Sequence, residues 1–552
     1  MLAFAAGCFE ARPPAPPPAD TAPTPPPSSS FRLANRAEGL RPAFQYHNGD
    51  RPDRSAILEL VGGGIALIDF DRDGRLDIFA PGGGDYAGER ALAGRPAALF
   101  RSQGNWEYAN CATTAGAAAD EFWSHGAAAG DFDNDGFPDL LVTGYGGLQL
   151  LHNAGDGTFV SCAAVTGLDD RMWSTSAAFG DVDGDGNLDL YVTHYVDWSF
   201  DNDPLCVAPN GMYDRCSPLR YEALPDTLYV SGGDGTFTDR SQAAGLRTDG
   251  KGLGVVMADL DVDGDLDIYV ANDTNANFLY RNDGHGVFEE CAVAGGAAFN
   301  DLGNPDGSMG ITVGDYDNDG LPDLLVSNYE QESIALYHNL GQCRFEHVSQ
   351  ALGVTDVGYL YVGFGVCFFD ADCDGDEDVF MADGHVFRFD RNAPVRQLPV
   401  LLENQAGRRF RNVAGRAGPY LETPHIARGA ARGDLDGDGL PDLVVSQIDE
   451  PLSVLQNQTE RRHLSFAVRL IGSESNRDAI GARLTLETSS GRQYRQETSG
   501  ESYLSQSDRT ILWGVPAGTQ MRALVVEWPN GVRQELTDVA AGQLRTLREP
   551  QR

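Results

Sequence analysis

The chain has 552 residues, 81 acidic against 41 basic, for a net charge of −40. That excess excludes nucleic acid, whose phosphates need the opposite sign, and argues against docking on an anionic membrane surface. A composition 41% apolar and 9% aromatic excludes disorder as the meaning of so much acid, and the length exceeds what one small core fills.

At the start, residues 1–8 (MLAFAAGC) look like the end of a bacterial lipoprotein signal, in which a small residue precedes a cysteine that becomes acylated. The basic n-region and a full apolar h-region are missing from that pattern. A lipid on Cys8 is the one membrane attachment the sequence suggests, and it implies a surface, outer-membrane or secreted location. Residues 11–30 are a Pro/Ser tether, extended and unable to pack. Residues 1–30 are thus expected to be signal remnant and tether, 31–460 a repeat domain, and 461–552 an appended β domain.

The repeat domain rests on internal repetition. Seven segments fit D-x-D-x-D-G-x-x-D, spaced by 62, 50, 78, 56, 55 and 64 residues. The first places its carboxylates at Asp69, Asp71, Asp73 and Asp77, and the second at Asp131, Asp133, Asp135 and Asp139. The third uses Asp181, Asp183, Asp185 and Asp189, and the fourth Asp259, Asp261, Asp263 and Asp267. The fifth uses Asp315, Asp317, Asp319 and Asp323, the sixth Asp370, Asp372, Asp374 and Asp378, and the seventh Asp434, Asp436, Asp438 and Asp442.

The flanks repeat as well. Small and apolar residues precede each loop, as in Gly126–Gly130, and a β-rich run follows, as in Leu140–Thr143. A third short strand follows and ends in Asn, as at Asn153, Asn282 and Asn339. A Gly-rich turn then leads to an aromatic such as Phe159 or Phe237. Four short strands per repeat predict an all-β, seven-bladed propeller. After the seventh loop only strands two and three follow, ending at Asn457. The missing fourth strand is at the other end, where Phe31–Leu40 matches Phe159–Leu168 with the aromatic-to-glycine spacing kept. Residues 31–40 are expected to close the last blade and remove the open edges.

Four carboxylates in one tight turn repel each other, and a hard dication relieves the conflict. Calcium takes six to eight oxygens in a flexible shell, and glycine at position 6 allows the turn. An EF-hand is excluded, because its bidentate Glu at position 12 is replaced by Ala80, Val142, Val192, Val270, Val326, Met381 and Val445. Magnesium, with its strict octahedron, fits less well. About seven calcium ions, one per blade, are expected to staple the structure. At a dissociation constant of ~10 µM and ~1 mM free calcium, each site contributes roughly 2.7 kcal/mol.

Beyond Cys8, eight cysteines remain. Cys206 and Cys216 flank a short loop and form the best disulfide candidate, with Cys367 and Cys373 a weaker pair. Cys111, Cys162 and Cys291 hold matching repeat positions and are expected in the core. The insertion 196–226 lengthens the third repeat and is expected to overhang the face opposite the aspartate loops. That face is expected to present Trp123, His125, Trp173, His194, Tyr195, Trp198, Asn272, Asp273, Asn277, Tyr329, His385 and His425. Neither HExxH nor Gly-x-Ser-x-Gly is present, so no catalytic residue is assigned. Two classes stay open: a binding or adhesion scaffold for a protein or glycan partner, and a propeller enzyme acting on carbohydrate or in biosynthetic tailoring.

From residue 461 onward, 13 arginines stand against 10 acidic residues, a net of +3, which leaves the first 460 residues at −43. This part reads as a small β-sandwich, with Leu524–Trp528 and Val532–Leu536 forming a hairpin around Pro529–Gly531. Its opposite charge permits docking on the propeller, but solvated arginines are the simpler expectation. The repeats resemble the FG-GAP/VCBS repeats of integrin-α-like propellers. Asn476–Arg483, Ser499–Gln506 and Val525–Gly531 resemble the ASPIC/UnbV domain. Together they resemble the cartilage acidic protein family, which implies an extracellular calcium-binding protein in which adhesion or recognition is presumed. The cysteine-rich EGF-like module of that family's eukaryotic members has no counterpart here.

Overall fold

The computed structural model describes residues 31–51, 55–359, 361–389 and 393–552, so the signal and tether readings lie outside it. Seven sheets among these residues share a plan of four antiparallel strands, in chain order in six of them, and two of the seven gain a fifth strand from elsewhere in the chain. In the second, Trp123–Gly130 pairs with Asp139–Tyr145, then come Gly147–Asn153 and Phe159–Ser161. The innermost strands touch one another in ring order, and Ala66–Ile68 of the first sheet meets both Trp123–Gly130 and Ala427–Gly433. The small residues of these strands have a packing reason. A Cβ on Gly130 would lie 2.9 Å from the Phe179 ring of the next sheet.

The chain start supplies the outer strand of the seventh sheet. Leu33 stands opposite Asn457, Ala34 opposite Gln456 and Asn35 opposite Leu455. The chain then passes to the first sheet, where Leu40–Arg41 lies parallel to Tyr108–Ala109. Joining first and last sheets by non-neighbouring chain segments leaves no free edge at the seam.

The C-terminal part forms two further sheets. One orders Ile511–Val515, Leu464–Ile471 and Leu544–Arg548; the other Arg492–Gln496, Arg483–Thr488, Met521–Glu527 and Arg533–Leu536. Phe466, Leu484, Trp513, Leu524 and Trp528 fill the core between them.

This sandwich does more than append to the propeller. Its segment Ser499–Asp508 enters the axial channel and reaches the innermost strand of every blade. Gln506 N–H donates to the Ile65 carbonyl (2.7 Å), Ala127 N–H to Leu504 (3.0 Å), Glu501 N–H to Val255 (3.1 Å) and Ile311 N–H to Ser502 (3.0 Å). Leu504 N–H donates to Ser176 Oγ (3.1 Å), and Arg432 N–H to Ser507 Oγ (3.1 Å). In the sixth blade the contact is aromatic, Tyr503 against Phe364 with ring centroids 5.0 Å apart. The inner edges of a propeller's strands carry unpaired backbone groups, and this plug pairs many of them. Glu501, Ser502 and Leu504 all take left-handed backbone conformations (φ 90°, 59° and 57°), which such dense pairing holds in place.

Two expectations are corrected. The C-terminal arginines are not simply solvated: Arg495 lies 3.1 Å from Glu377, and Arg483 donates to the Gly320 carbonyl at 2.5 Å. Cys367 and Cys373 form no disulfide; both thiols are free and buried, Cys367 on an inner strand and Cys373 in the following loop, each facing the seventh blade. Cys206 and Cys216 are bonded. Cys111 and Cys162 play matching parts, each thiol donating to a third-strand carbonyl, Leu99 at 3.4 Å and Leu150 at 3.5 Å. Among the described residues no helix is long and apolar enough to cross a membrane.

Candidate metal centres and the opposite face

Each aspartate loop folds by the same hydrogen bonds, which assign the four carboxylates different tasks. The position 1 carboxylate accepts from the position 6 glycine, as in Gly74 to Asp69 (3.0 Å), Gly264 to Asp259 (3.1 Å) and Gly439 to Asp434 (2.7 Å). Position 5 accepts from the position 7 N–H, as in Phe137 to Asp135 and Leu321 to Asp319, both 2.8 Å. Position 9 uses both oxygens. Asp139 accepts from Phe132 N–H (3.2 Å) and Asn153 N–H (2.7 Å), which welds the loop to the third strand. The same pair of bonds recurs at Asp77, Asp189, Asp267, Asp323, Asp378 and Asp442.

The remaining oxygens converge. Carboxylate oxygens of Asp69, Asp71 and Asp77 lie within 4.8 Å of one another, as do those of Asp131, Asp133 and Asp135 and those of Asp181, Asp183 and Asp189. The Oδ1 atoms of Asp69, Asp131, Asp183 and Asp261 are buried without a hydrogen-bond partner. An orphaned buried carboxylate oxygen needs compensation, and hard oxygen donors in this number suit calcium. Without a cation, burial favours the protonated form of the position 9 carboxylates. Burial, reinforced by the neighbouring aspartates, lifts Asp77 and Asp189 to about 8 and Asp139 to about 9.

The side chain before the third-strand Asn or Ser covers the loop. In the second blade it is His152, whose Nδ1 lies 3.2 Å from Asp139 and 3.4 Å from Asp133. In the fifth it is His338, 3.2 Å from Asp323, and the hydrogen bond to that carboxylate raises the imidazole to about 9. Gln456 does the same in the seventh blade, donating to Asp436 at 2.9 Å.

Two features of the loops escaped the sequence analysis. The third-strand Asn latches neighbouring blades: Asn153 donates to the Phe70 carbonyl of the previous loop (2.9 Å), Asn282 to Val182, Asn339 to Leu260, Asn404 to Tyr316 and Asn457 to Ala371 (2.8 Å each). Its recurrence was the available signal. Position 4 is also left-handed in every loop, with φ from 57° at Arg72, Asn318 to 64° at Val262 and 73° at Gly184 and Gly437. The varied residues there hid that requirement.

The C-terminal sandwich docks on this loop face. Gly514 N–H donates to Asp370 Oδ2 (2.9 Å), Asp131 N–H to Asp478 (3.0 Å) and Asp259 N–H to Gln496 (3.1 Å). Arg477 stands 3.6 Å from Asp131 and Arg469 3.8 Å from Asp69.

The opposite face differs from the expectation. Trp123, Trp173 and Trp198 are buried in an aromatic core and do not present themselves to a ligand. The histidines are tied up separately. His194 is fully buried between Asp170 (2.7 Å) and the Pro225 carbonyl (2.8 Å), and His425 stacks on Tyr420 and bonds Glu450 at 2.7 Å. His125 contacts the Tyr46 hydroxyl at 2.9 Å, and His385 lies 3.6 Å from Glu330. Asn272 and Asn277 are buried, Asn272 N–H donating to Asn277 Oδ1 at 2.8 Å. Of the twelve residues, Tyr195, Asp273 and Tyr329 line a central cavity.

The insertion 196–226 reaches across that cavity from the third blade to the sixth. Asp214 accepts from Arg388 and Phe389 N–H, both at 3.1 Å, and Arg215 donates to the Val386 carbonyl at 2.8 Å. Beneath, Glu59 is buried beside Arg215 (3.8 Å) and Arg388 (3.5 Å), and burial raises its carboxyl to about 7.

A repeat propeller closed by its own N-terminal strand, with one aspartate loop per sheet and a sandwich plugging its axis, defines the class. Models of the FG-GAP-like repeat match residues 69–142, 131–192, 220–270, 259–326 and 315–381, and the ASPIC and UnbV model matches residues 472–552. The chain belongs to the FG-GAP-like repeat family and carries a C-terminal ASPIC and UnbV domain. It is similar to Cartilage acidic protein 1 of Homo sapiens, 24% identical over 335 residues, which are 59% of this chain and 48% of that protein. The Xenopus tropicalis protein of that name is 26% identical over 312 residues, 54% of this chain and 44% of its own length. The chain thus spans about half the length of the curated relatives it matches. A solved Agrocybe aegerita structure, described for specific recognition of non-reducing terminal N-acetylglucosamine, overlaps 72% of this chain and 94% of its own, at 16% identity and a TM-score of 0.39.

Proposed function

We propose that the chain is an extracytoplasmic, calcium-stapled scaffold that recognises a protein or glycan partner on the face opposite its aspartate loops. The observation that carries this is the convergence of buried, orphaned aspartate oxygens in a repeated loop. Calcium there, about seven ions, would replace protons, fix the loops and so seat the C-terminal sandwich on them. The role is structural, since the sandwich covers this face. The Cys206–Cys216 disulfide and the likeness to Cartilage acidic protein 1 support a location outside the cytoplasm. If Cys8 is acylated, the Pro/Ser segment tethers the head to a membrane.

Calcium counting by equilibrium dialysis, paired with melting in calcium and in EDTA, tests the loops. Equal melting temperatures would sink this account. A glycan and peptide array run in both conditions tests recognition, which requires calcium-dependent binding to at least one class.

One observation favours the second reading, a carbohydrate-active or tailoring enzyme. Asp273 and Glu332 both border the central cavity, and burial lifts their carboxyls to about 6 and about 7, the range of an acid–base pair. Turnover of an arrayed glycan that Asp273→Asn abolishes would establish it.

A further inference from the structure

The central cavity has a volume of about 280 Å³. Leu253, Met309, Phe364 and Tyr503 contribute its apolar lining, and the insertion adds Pro218 and Leu219. Tyr503 is the tip of the axial plug, its hydroxyl donating to the Val61 carbonyl at 3.1 Å. The C-terminal domain therefore builds part of a cavity on the far side of the propeller.

Two carboxylates interrupt this apolar lining. Asp273 accepts from the Tyr195 hydroxyl, and Glu332 Oε2 accepts from Gly307 N–H (2.7 Å) and Tyr329 N–H (3.2 Å). Gly307 lets them approach. A Cβ there would lie 3.1 Å from Asp273 Oδ1 and 3.5 Å from Glu332 Oε2, so these oxygens are at most about 6.6 Å apart. Positive charge nearby is scarce and committed. Lys251, the only lysine in the sequence, donates to the Pro218 carbonyl at 3.0 Å, and its charge favours the ionised form of Asp273 without forming an ion pair among the described contacts. Arg428, stacked on Phe364, donates to the carbonyls of Leu60, Ala427 and Gly384 rather than to either carboxylate. The charges bearing on Glu332 are those of Asp306 and Asp273, both of its own sign.

We infer that this cavity binds a small organic cation, an ammonium group on an apolar or aromatic body, with Asp273 and Glu332 holding the charge and Tyr195, Tyr329 and Phe364 receiving the body. Carboxylates in an apolar pocket are costly without a counter-charge, and aromatic faces attract cations. A sugar would bring many hydroxyls to a lining with few groups to bond them. The inference rests on taking the face opposite the loops as the recognition face, and it names that face's ligand chemistry.

The test is calorimetric titration of the calcium-loaded full chain with three probes of one shape: 2-phenylethylammonium, 2-phenylethanol and 3-phenylpropionate. The ammonium is expected to bind, the alcohol at least about tenfold more weakly, and the carboxylate not at all. Glu332→Gln is expected to weaken the ammonium about tenfold while leaving the alcohol unchanged. The charge ranking is read on the unmodified chain, so a variant that fails to fold leaves the test standing. Equal binding of alcohol and ammonium, binding of the carboxylate, or no binding by any probe would overturn the inference. A chain that binds no probe yet melts higher in calcium loses this inference and keeps the calcium account.

Discussion

The two faces of the propeller are built on opposite principles. On the loop face one nine-residue solution is repeated around the ring, and the C-terminal sandwich covers it with Gly514, Gln496, Asp478 and a set of arginines. The opposite face adds features that occur once to the repeated strand ends: one insertion, one disulfide and single carboxylates such as Glu59 and Glu332. Repetition suits a structural task that every blade must perform, whereas recognition needs a surface on which blades differ. The plug joins the two, because Tyr503 leaves the loop-face domain and ends in the opposite cavity.

That contrast can be broken most directly by chelating divalent cations. If calcium fills several loops at roughly 2.7 kcal/mol each, EDTA is expected to lower the melting temperature by more than about 10 °C. An unchanged melting curve would place the loops with ordinary acidic turns. Next in size, Tyr503→Ala should cost about 3–5 kcal/mol in denaturant melts, because it empties a fully buried aromatic against Phe364. A loss below about 1 kcal/mol would mean that the plug is incidental to the propeller.

The pH dependence of metal-free protein sharpens the loop side. Asp77, Asp139 and Asp189, raised by burial to about 8, 9 and 8, bind protons more tightly folded than unfolded. Their contribution is fully present below the unfolded carboxylate value of about 4 and is lost as pH rises through about 8 to 9. Stability in EDTA should therefore fall from pH 5 to pH 9, and calcium should flatten that fall; a rise in EDTA would contradict the burial of these groups.

Smaller effects test individual repeats. Asn339→Ala removes the bonds to the Leu260 and Pro322 carbonyls and should cost about 1–3 kcal/mol by chemical denaturation. Val262→Gly relieves a β-branched residue at φ 64° and should stabilise by about 1 kcal/mol, visible as a higher denaturation midpoint. Destabilisation by that substitution would mean the loop needs the valine side chain more than the backbone relief.

How much was legible follows from where the information lies. Asp spacing, the glycine at position 6 and the apolar position 12 are local, so the loops, the strand order and the pairing of Leu33–Asn35 with the last sheet could be read from residues alone. The Asn latch was visible as a recurrence, yet its partner is a carbonyl of the previous blade, which no single repeat contains. Trp123 and Trp173 looked like ligand platforms because they sit at strand starts, but the insertion and the N-terminal segment cover them.

The sequence by itself determined the repeat, the place of its aspartate loops, the β architecture and the closing strand, since each follows from short-range pattern and backbone periodicity. Only the tertiary structure decided that Ser499–Asp508 fills the axis, that the C-terminal arginines meet the loop face, and that Asp273 and Glu332 share one cavity. Those contacts join segments up to hundreds of residues apart, and they exist because the ring leaves its inner strand edges unpaired until another part of the chain fills the axis.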